Sequence, residues 1–152
     1  SNLTGKPPPT VTGPEFDAFE SESGLKLPGF LRSIYTKVAN GGFGPAWGIN
    51  PLIGDDVFSI ASWDRIVQNA IHDDPEQPWP EHLIRFCEIG CSMYYGVDIS
   101  VQSAPVFSVD PTCGSNNQDD WLTKESDSVN DWLKSWAEKE PPKWIEPTPG
   151  NE

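Results

Sequence analysis

Residues 83–99, "LIRFCEIGCSMYYGVDI", decide the fold, because their apolar residues stop recurring at helical spacing and begin to alternate. The pattern predicts one strand over Leu83–Glu88 and a second over Met93–Ile99, with Gly90 marking the turn or bulge between them. Alternation places Met93, Tyr95, Val97 and Ile99 on one face and Tyr94, Gly96 and Asp98 on the other. Downstream, "APVFSVD" (Ala104–Asp110) supplies a third run, and three strands with short connections read as an antiparallel meander.

Helical spacing flanks this meander. Upstream, "LPGFLRSIYTKVANGG" (27–42) carries Phe30, Leu31, Ile34, Tyr35 and Val38 as one stripe, with Pro28 suited to a first helical turn. Asn40, Gly41 and Gly42 close the helix, since Asn and Gly tolerate the left-handed conformation. Phe16 and Phe19 predict a shorter helix over residues 15–22, ended by Gly24. "FGPAWGINPLIG" (43–54), broken by Gly and Pro, reads as a short strand or extended loop at the sheet edge. Ser62 is the expected cap of a helix over "WDRIVQNAIHDD" (63–74). A terminal helix from about Ser128 presents Val129, Trp132, Leu133 and Trp136.

The fold class is therefore α+β: a single domain whose mostly antiparallel sheet is flanked by helices. It is expected over residues 15–140, between a proline-rich flexible leader (1–14) and a fraying tail (141–152). The 152 residues suffice for one core, and 7 Trp, 7 Phe and 3 Tyr make that core aromatic.

Ten Lys and Arg against 23 Asp and Glu give a net charge of −13, a field that repels nucleic acid and anionic lipid and attracts basic proteins. No nucleic-acid or membrane partner is expected. Three cysteines, Cys87, Cys91 and Cys113, have no disulfide-framework spacing and fit a reducing cytoplasm. With His82 they total four potential zinc ligands, but the spacing does not suit a zinc knuckle, and Cys87 and Cys91 read as small buried residues on one sheet face. Neither a G-x-S-x-G, an H-E-x-x-H nor a phosphate-binding loop with its lysine is present.

Taken in order, "LPGFLRSIYTKVANGG", "IGCSMYYGVDIS", "PVFSVDP" and "VNDWLKSWAE" resemble the SUKH superfamily, which groups bacterial immunity proteins with a yeast regulator of cell-wall synthesis. The resemblance runs from Phe16 to Glu138. It is carried best by Leu27-Pro28 leading to Asn40-Gly41-Gly42 and by Gly96-Val97-Asp98 followed by Pro105-Val106 and Asp110. The chain departs from the common pattern at Cys91-Ser92-Met93, where relatives often carry a glycine-rich pair. The resemblance implies no cofactor, no metal and no catalytic apparatus; it implies direct binding of a toxin protein, often a nuclease. The alternative from the same superfamily is an intracellular regulatory scaffold that engages a host partner.

A surface that grips a basic toxin needs acids for steering and aromatic anchors for affinity. Loop acids are usually only solvated, yet Asp55-Asp56, Asp73-Asp74 with Glu76, and Asp119-Asp120 form three clusters. Trp63, Trp79 and Tyr94 are the expected aromatic anchors, Trp79 because Pro78 and Pro80 stiffen its backbone. Composition leaves the oligomeric state open.

Overall fold

A computed structural model describes residues 8–65, 82–115 and 117–139. The chain enters with Val11, which is buried and donates its N–H to the Tyr35 carbonyl at 2.8 Å. Thr12 then caps α1 (Gly13–Ser23) through a reciprocal box: its hydroxyl accepts from the Glu15 N–H, and the Glu15 carboxylate accepts from the Thr12 N–H. The helix thus starts at Gly13, two residues before the expected start at residue 15, because Thr12 caps it and buried Val11 ties the incoming chain down. Phe16 and Phe19 fill the core side of α1, and Gly24, at φ 75°, ends it.

The helix expected over residues 28–38 forms in two parts. A short α2 (Gly29–Ser33) widens into a π turn over Ile34–Val38, in which the Ala39 N–H reaches back five residues to the Ile34 carbonyl. Leu31, Ile34 and Tyr35 are buried as expected, whereas Phe30 and Val38 are exposed. The extra residue in the turn carries Val38 off the stripe. Asn40 then clamps the returning chain: its side chain donates to the Ile53 carbonyl at 3.0 Å and accepts from the Leu52 N–H at 2.8 Å. Gly41, at φ 77°, lies so close to this segment that a Cβ there would stand 2.5 Å from the Ile49 carbonyl oxygen.

The sheet is a four-stranded antiparallel meander in the order β1 (Leu83–Gly90), β2 (Met93–Asp98), β3 (Val106–Val109) and β4 (Leu122–Ser126). The first three strands follow the sequence reading. The fourth, "LTKES", was not expected: its central residues are exposed and polar, so an edge strand there leaves no apolar alternation to read. At the opposite edge the 43–50 segment bridges β1 through Ile49 and Cys87, with the Asn50 N–H donating to the Phe86 carbonyl at 2.7 Å.

Register sorts the side chains. Ile84 pairs with Val97, and Val97 with Val106, on the face that packs against α1, α2 and α4 (Val129–Lys139) as the main core. There Trp132 of α4 meets the Tyr95 ring edge-on at 5.1 Å and lies 6.0 Å from Phe86, while Trp136 lies 6.3 Å from Phe43. Leu83, Tyr94 and Val109 build a smaller apolar cluster on the other face, joined by Phe107, Trp121 and Leu122.

The helix expected to be capped by Ser62 starts earlier. Residues 60–65, α3, are helical, and Ser59, fully buried, accepts the Ser62 N–H on its hydroxyl at 3.2 Å. Ser62 therefore sits inside the first turn. The remainder of that expected helix, and the tail from residue 140, lie outside the described residues. No described helix is long and apolar enough to cross a membrane.

Candidate protein-binding cleft

Between the 43–51 segment, the 55–58 loop and β1 opens a cleft of about 970 Å³, whose walls include Trp47, Asn50, Asp56, Phe58, Arg85 and Glu88. Its floor is an ion pair made by an irregularity of β1. Arg85 pairs with Gly96 and Glu88 with Tyr94, and the register shifts by one between Arg85 and Cys87. Gly96 and Tyr94 are alternate residues of β2, so their partners Arg85 and Glu88 share a face that regular alternation would have denied them.

The pair is well satisfied. Arg85 Nε donates to Glu88 Oε2 at 2.7 Å, Arg85 Nη2 donates to Glu88 Oε1, and Asn50 Nδ2 donates to Glu88 Oε2 at 3.2 Å. Both side chains are nearly buried, 11% and 12% exposed. Three rings enclose the guanidinium: Trp63 at 4.4 Å, Tyr94 at 4.5 Å and Phe58 at 5.4 Å from its carbon to their centroids. Burial pushes the Tyr94 hydroxyl well above its usual range, against the opposing pull of Arg85.

The rim is apolar and acidic. Trp47, 79% exposed, Phe58, 39% exposed, and the exposed Asp56 line the cleft, and the exposed Asp55 and Val57 flank Asp56 in the chain. Asp56 also shapes its own loop by accepting the Phe58 N–H at 2.8 Å. Cys91 and Ser92, the β1–β2 turn, line the far end. Both hold positive φ, 53° and 68°, the geometry of a tight turn that favours Asn-Gly.

The residues read from the sequence fall differently. Trp63 is half-buried and Tyr94 fully buried, and the two meet around Arg85. Tyr94 is therefore core, not an exposed anchor, because its strand face is covered by its own apolar cluster. Asp56 lines the cleft, and the exposed Asp55 precedes it in the same loop. Asp119 and Asp120 are exposed on a short 3-10 turn (Gln118–Trp121), where Asp120 Oδ2 accepts from the Ser115 hydroxyl at 2.6 Å. Since Tyr94 pairs with Val109, the loop holding those two acids leaves the same end of the sheet as the β1–β2 turn. Asp73, Asp74, Glu76 and Trp79 lie outside the described residues.

The sequence reading missed Trp47, Phe58, Arg85, Glu88 and Asn50. A signal existed for Trp47: Pro45 and Gly48 on either side prevent a regular strand that would bury it.

Cysteine placement also changes. Cys87 is buried, its thiol facing the Pro45 carbonyl at 3.0 Å and pushed up to about 12 by burial. Cys91 is exposed in the turn instead of buried beside Cys87, since the strand ends at Gly90. Among the described residues no three His, Cys, Asp or Glu side chains are grouped to hold a metal ion.

No curated protein and no solved structure matches this chain. A family model does: that of the SMI1 / KNR4 family (SUKH-1), over residues 10–135, which takes in α1, the 43–58 segment, the whole sheet and most of α4. With that match laid over the meander and its flanking helices, the chain belongs to the SMI1 / KNR4 family (SUKH-1).

Proposed function

We propose that this chain is an immunity protein that binds a cognate toxin domain of the nuclease class by direct contact and blocks its active site or the approach of its substrate. The observation that carries the reading is that exposed Trp47 and Phe58 line one cleft with exposed Asp56, which Asp55 precedes in the chain. Aromatic residues ringed by charge are the anatomy of a protein interface, in which the rings supply affinity and the charges supply rate and selectivity. Family membership supports protein binding as the general mode. The net charge of −13 supports a partner with a basic surface, such as a nuclease can present to its anionic substrate.

In this reading the chain acts in the cytoplasm, transforms no substrate and needs no cofactor. It would hold the toxin by occupying its surface. The test is co-expression with the product of the neighbouring gene. Growth restored by this chain, together with co-purification of the two proteins, is the expected result; death of the cells at matched expression overturns it.

A further inference from the structure

We infer that the cleft between the 43–51 segment and β1 receives a segment of the partner protein in which an apolar side chain is flanked by lysine or arginine. This rests on the protein-binding reading above and adds the site and the chemistry of the occupant.

Trp47 carries the first step. Its backbone is pinned on both sides: its N–H donates to the Glu88 carbonyl at 3.3 Å, the Gly48 N–H to Pro45 at 2.9 Å and the Ile49 N–H to Phe43 at 2.7 Å. Ala46 and Gly48 both hold positive φ, 53° and 89°, so the chain is folded sharply on either side of it. A tryptophan 79% exposed on a loop held this firmly is presented to solvent, and ordering costs for a partner that covers it have already been met in the free protein. Gly90 leaves room beside the indole: a Cβ there would lie 3.8 Å from Trp47 Nε1. Phe58, 39% exposed, adds apolar surface to the same cleft, and Val57 beside it in the chain is exposed.

Charge selects the occupant. Arg85 is the one lysine or arginine among the described residues lining the cleft, and it is committed. Two bonds to Glu88 and three enclosing rings leave it nearly buried, so a phosphate or carboxylate entering the cleft finds no free cation. Asp56 lines the cleft, and the exposed Asp55 precedes it. A ligand that complements this wall inserts apolar surface beside Trp47 and Phe58 and keeps a cation near Asp56 and the adjoining Asp55.

The experiment places the photoreactive residue p-benzoylphenylalanine at Trp47 or, separately, at Phe30, an exposed aromatic on α2 away from the cleft. Each is co-expressed with a catalytically inactive form of the neighbouring gene's product, irradiated and mapped by mass spectrometry. The inference expects cross-links from position 47 only, to an apolar residue with Lys or Arg beside it. It also expects Trp47→Ala with Phe58→Ala to weaken the complex by about 100-fold while circular dichroism stays unchanged. Cross-links from position 30 with none from 47, or from 47 into an acidic segment, overturn the inference and leave the immunity reading standing. Absence of any complex with the unsubstituted chain overturns the reading itself, and the inference with it.

Discussion

Arg85 and Glu88 stand three residues apart on β1 yet point to the same side of the sheet, because the register shift between Arg85 and Cys87 inserts one residue between them. The bulge thereby converts two separate charges into a buried, bidentate pair beneath the cleft. Asn50, from the neighbouring segment, bonds the same carboxylate, so the pair also ties that segment to the sheet.

Breaking this pair should be more costly than removing it. Glu88→Leu leaves a guanidinium buried without its counter-charge and is expected to cost about 3–5 kcal/mol, whereas Arg85→Met with Glu88→Leu together should cost less than Glu88→Leu alone. Urea unfolding of the parent, of each single variant (Arg85→Met and Glu88→Leu) and of the double variant measures this. Additive losses would show that the charges act independently.

Gly41 tests the exit from the π turn. Gly41→Ala must place a Cβ 2.5 Å from the Ile49 carbonyl oxygen at a φ of 77°, and an expected loss of about 2–4 kcal/mol follows from the clash and the left-handed backbone together. Gly24→Ala, at φ 75° with nothing within 4 Å, should lose only about 1 kcal/mol. Thermal unfolding of both variants separates steric from conformational cost.

The β1–β2 turn offers the opposite sign. Ser92 holds φ 68° where glycine is favoured, so Ser92→Gly should stabilise by roughly 0.5–1 kcal/mol, the relief of the left-handed penalty less the added freedom of the unfolded chain. An unchanged or lowered melting temperature would contradict the turn geometry.

Alkaline pH should unfold the protein through its buried acids. Cys87 is raised from 9.0 to about 12, and Tyr35 and Tyr94 are raised above 10.0, each chiefly by burial. Because their folded-state values lie above the unfolded ones, the stability these groups contribute is full below pH 9 and falls as the unfolded chain begins to lose protons. The urea midpoint should therefore drop from pH 9 toward 12. Tyrosinate absorbance from Tyr35 and Tyr94 should appear together with loss of the near-ultraviolet dichroism rather than before it. At neutral pH, thiol titration of the native protein should modify the exposed Cys91 and Cys113 and spare Cys87.

How much of this was legible in the sequence follows from the physics of each element. Alternation over residues 83–99 and the stripe Val129–Trp132–Leu133–Trp136 gave β1, β2 and α4, because burial on one face imposes a period. The polar edge strand β4 imposes none, and so leaves no trace in the apolar pattern. The Arg85–Glu88 pair was hidden by the bulge: simple alternation assigns those residues to opposite faces, and a one-residue insertion in the ladder has no signature in composition. The α3 cap is Ser59 in place of the expected Ser62, because the helix starts at Ile60, which belongs to the core. Tyr94 was assigned to the correct strand face, but which face the protein covers depends on Leu83, Val109 and Trp121, distant in sequence. The Asp55-Asp56 cluster was visible; Trp47, which lines the cleft with Asp56, was read as one more apolar residue of the edge segment.

Association kinetics bear on the role of those acids. Asp55→Lys with Asp56→Lys should lower the association rate with a basic partner by about 10-fold at low ionic strength, and the difference should shrink as salt approaches about 1 M, where the screening length falls to about 3 Å. A rate insensitive to both substitution and salt would leave the acids as ordinary solvated loop residues.

The most direct measurement is calorimetric titration of the purified chain into the purified toxin domain encoded beside it, with the toxin's activity assayed on the same mixture. A saturable complex of defined stoichiometry, with activity lost in proportion to the fraction bound, is the predicted result. No heat of binding, with the toxin fully active in excess of this chain, would contradict the account.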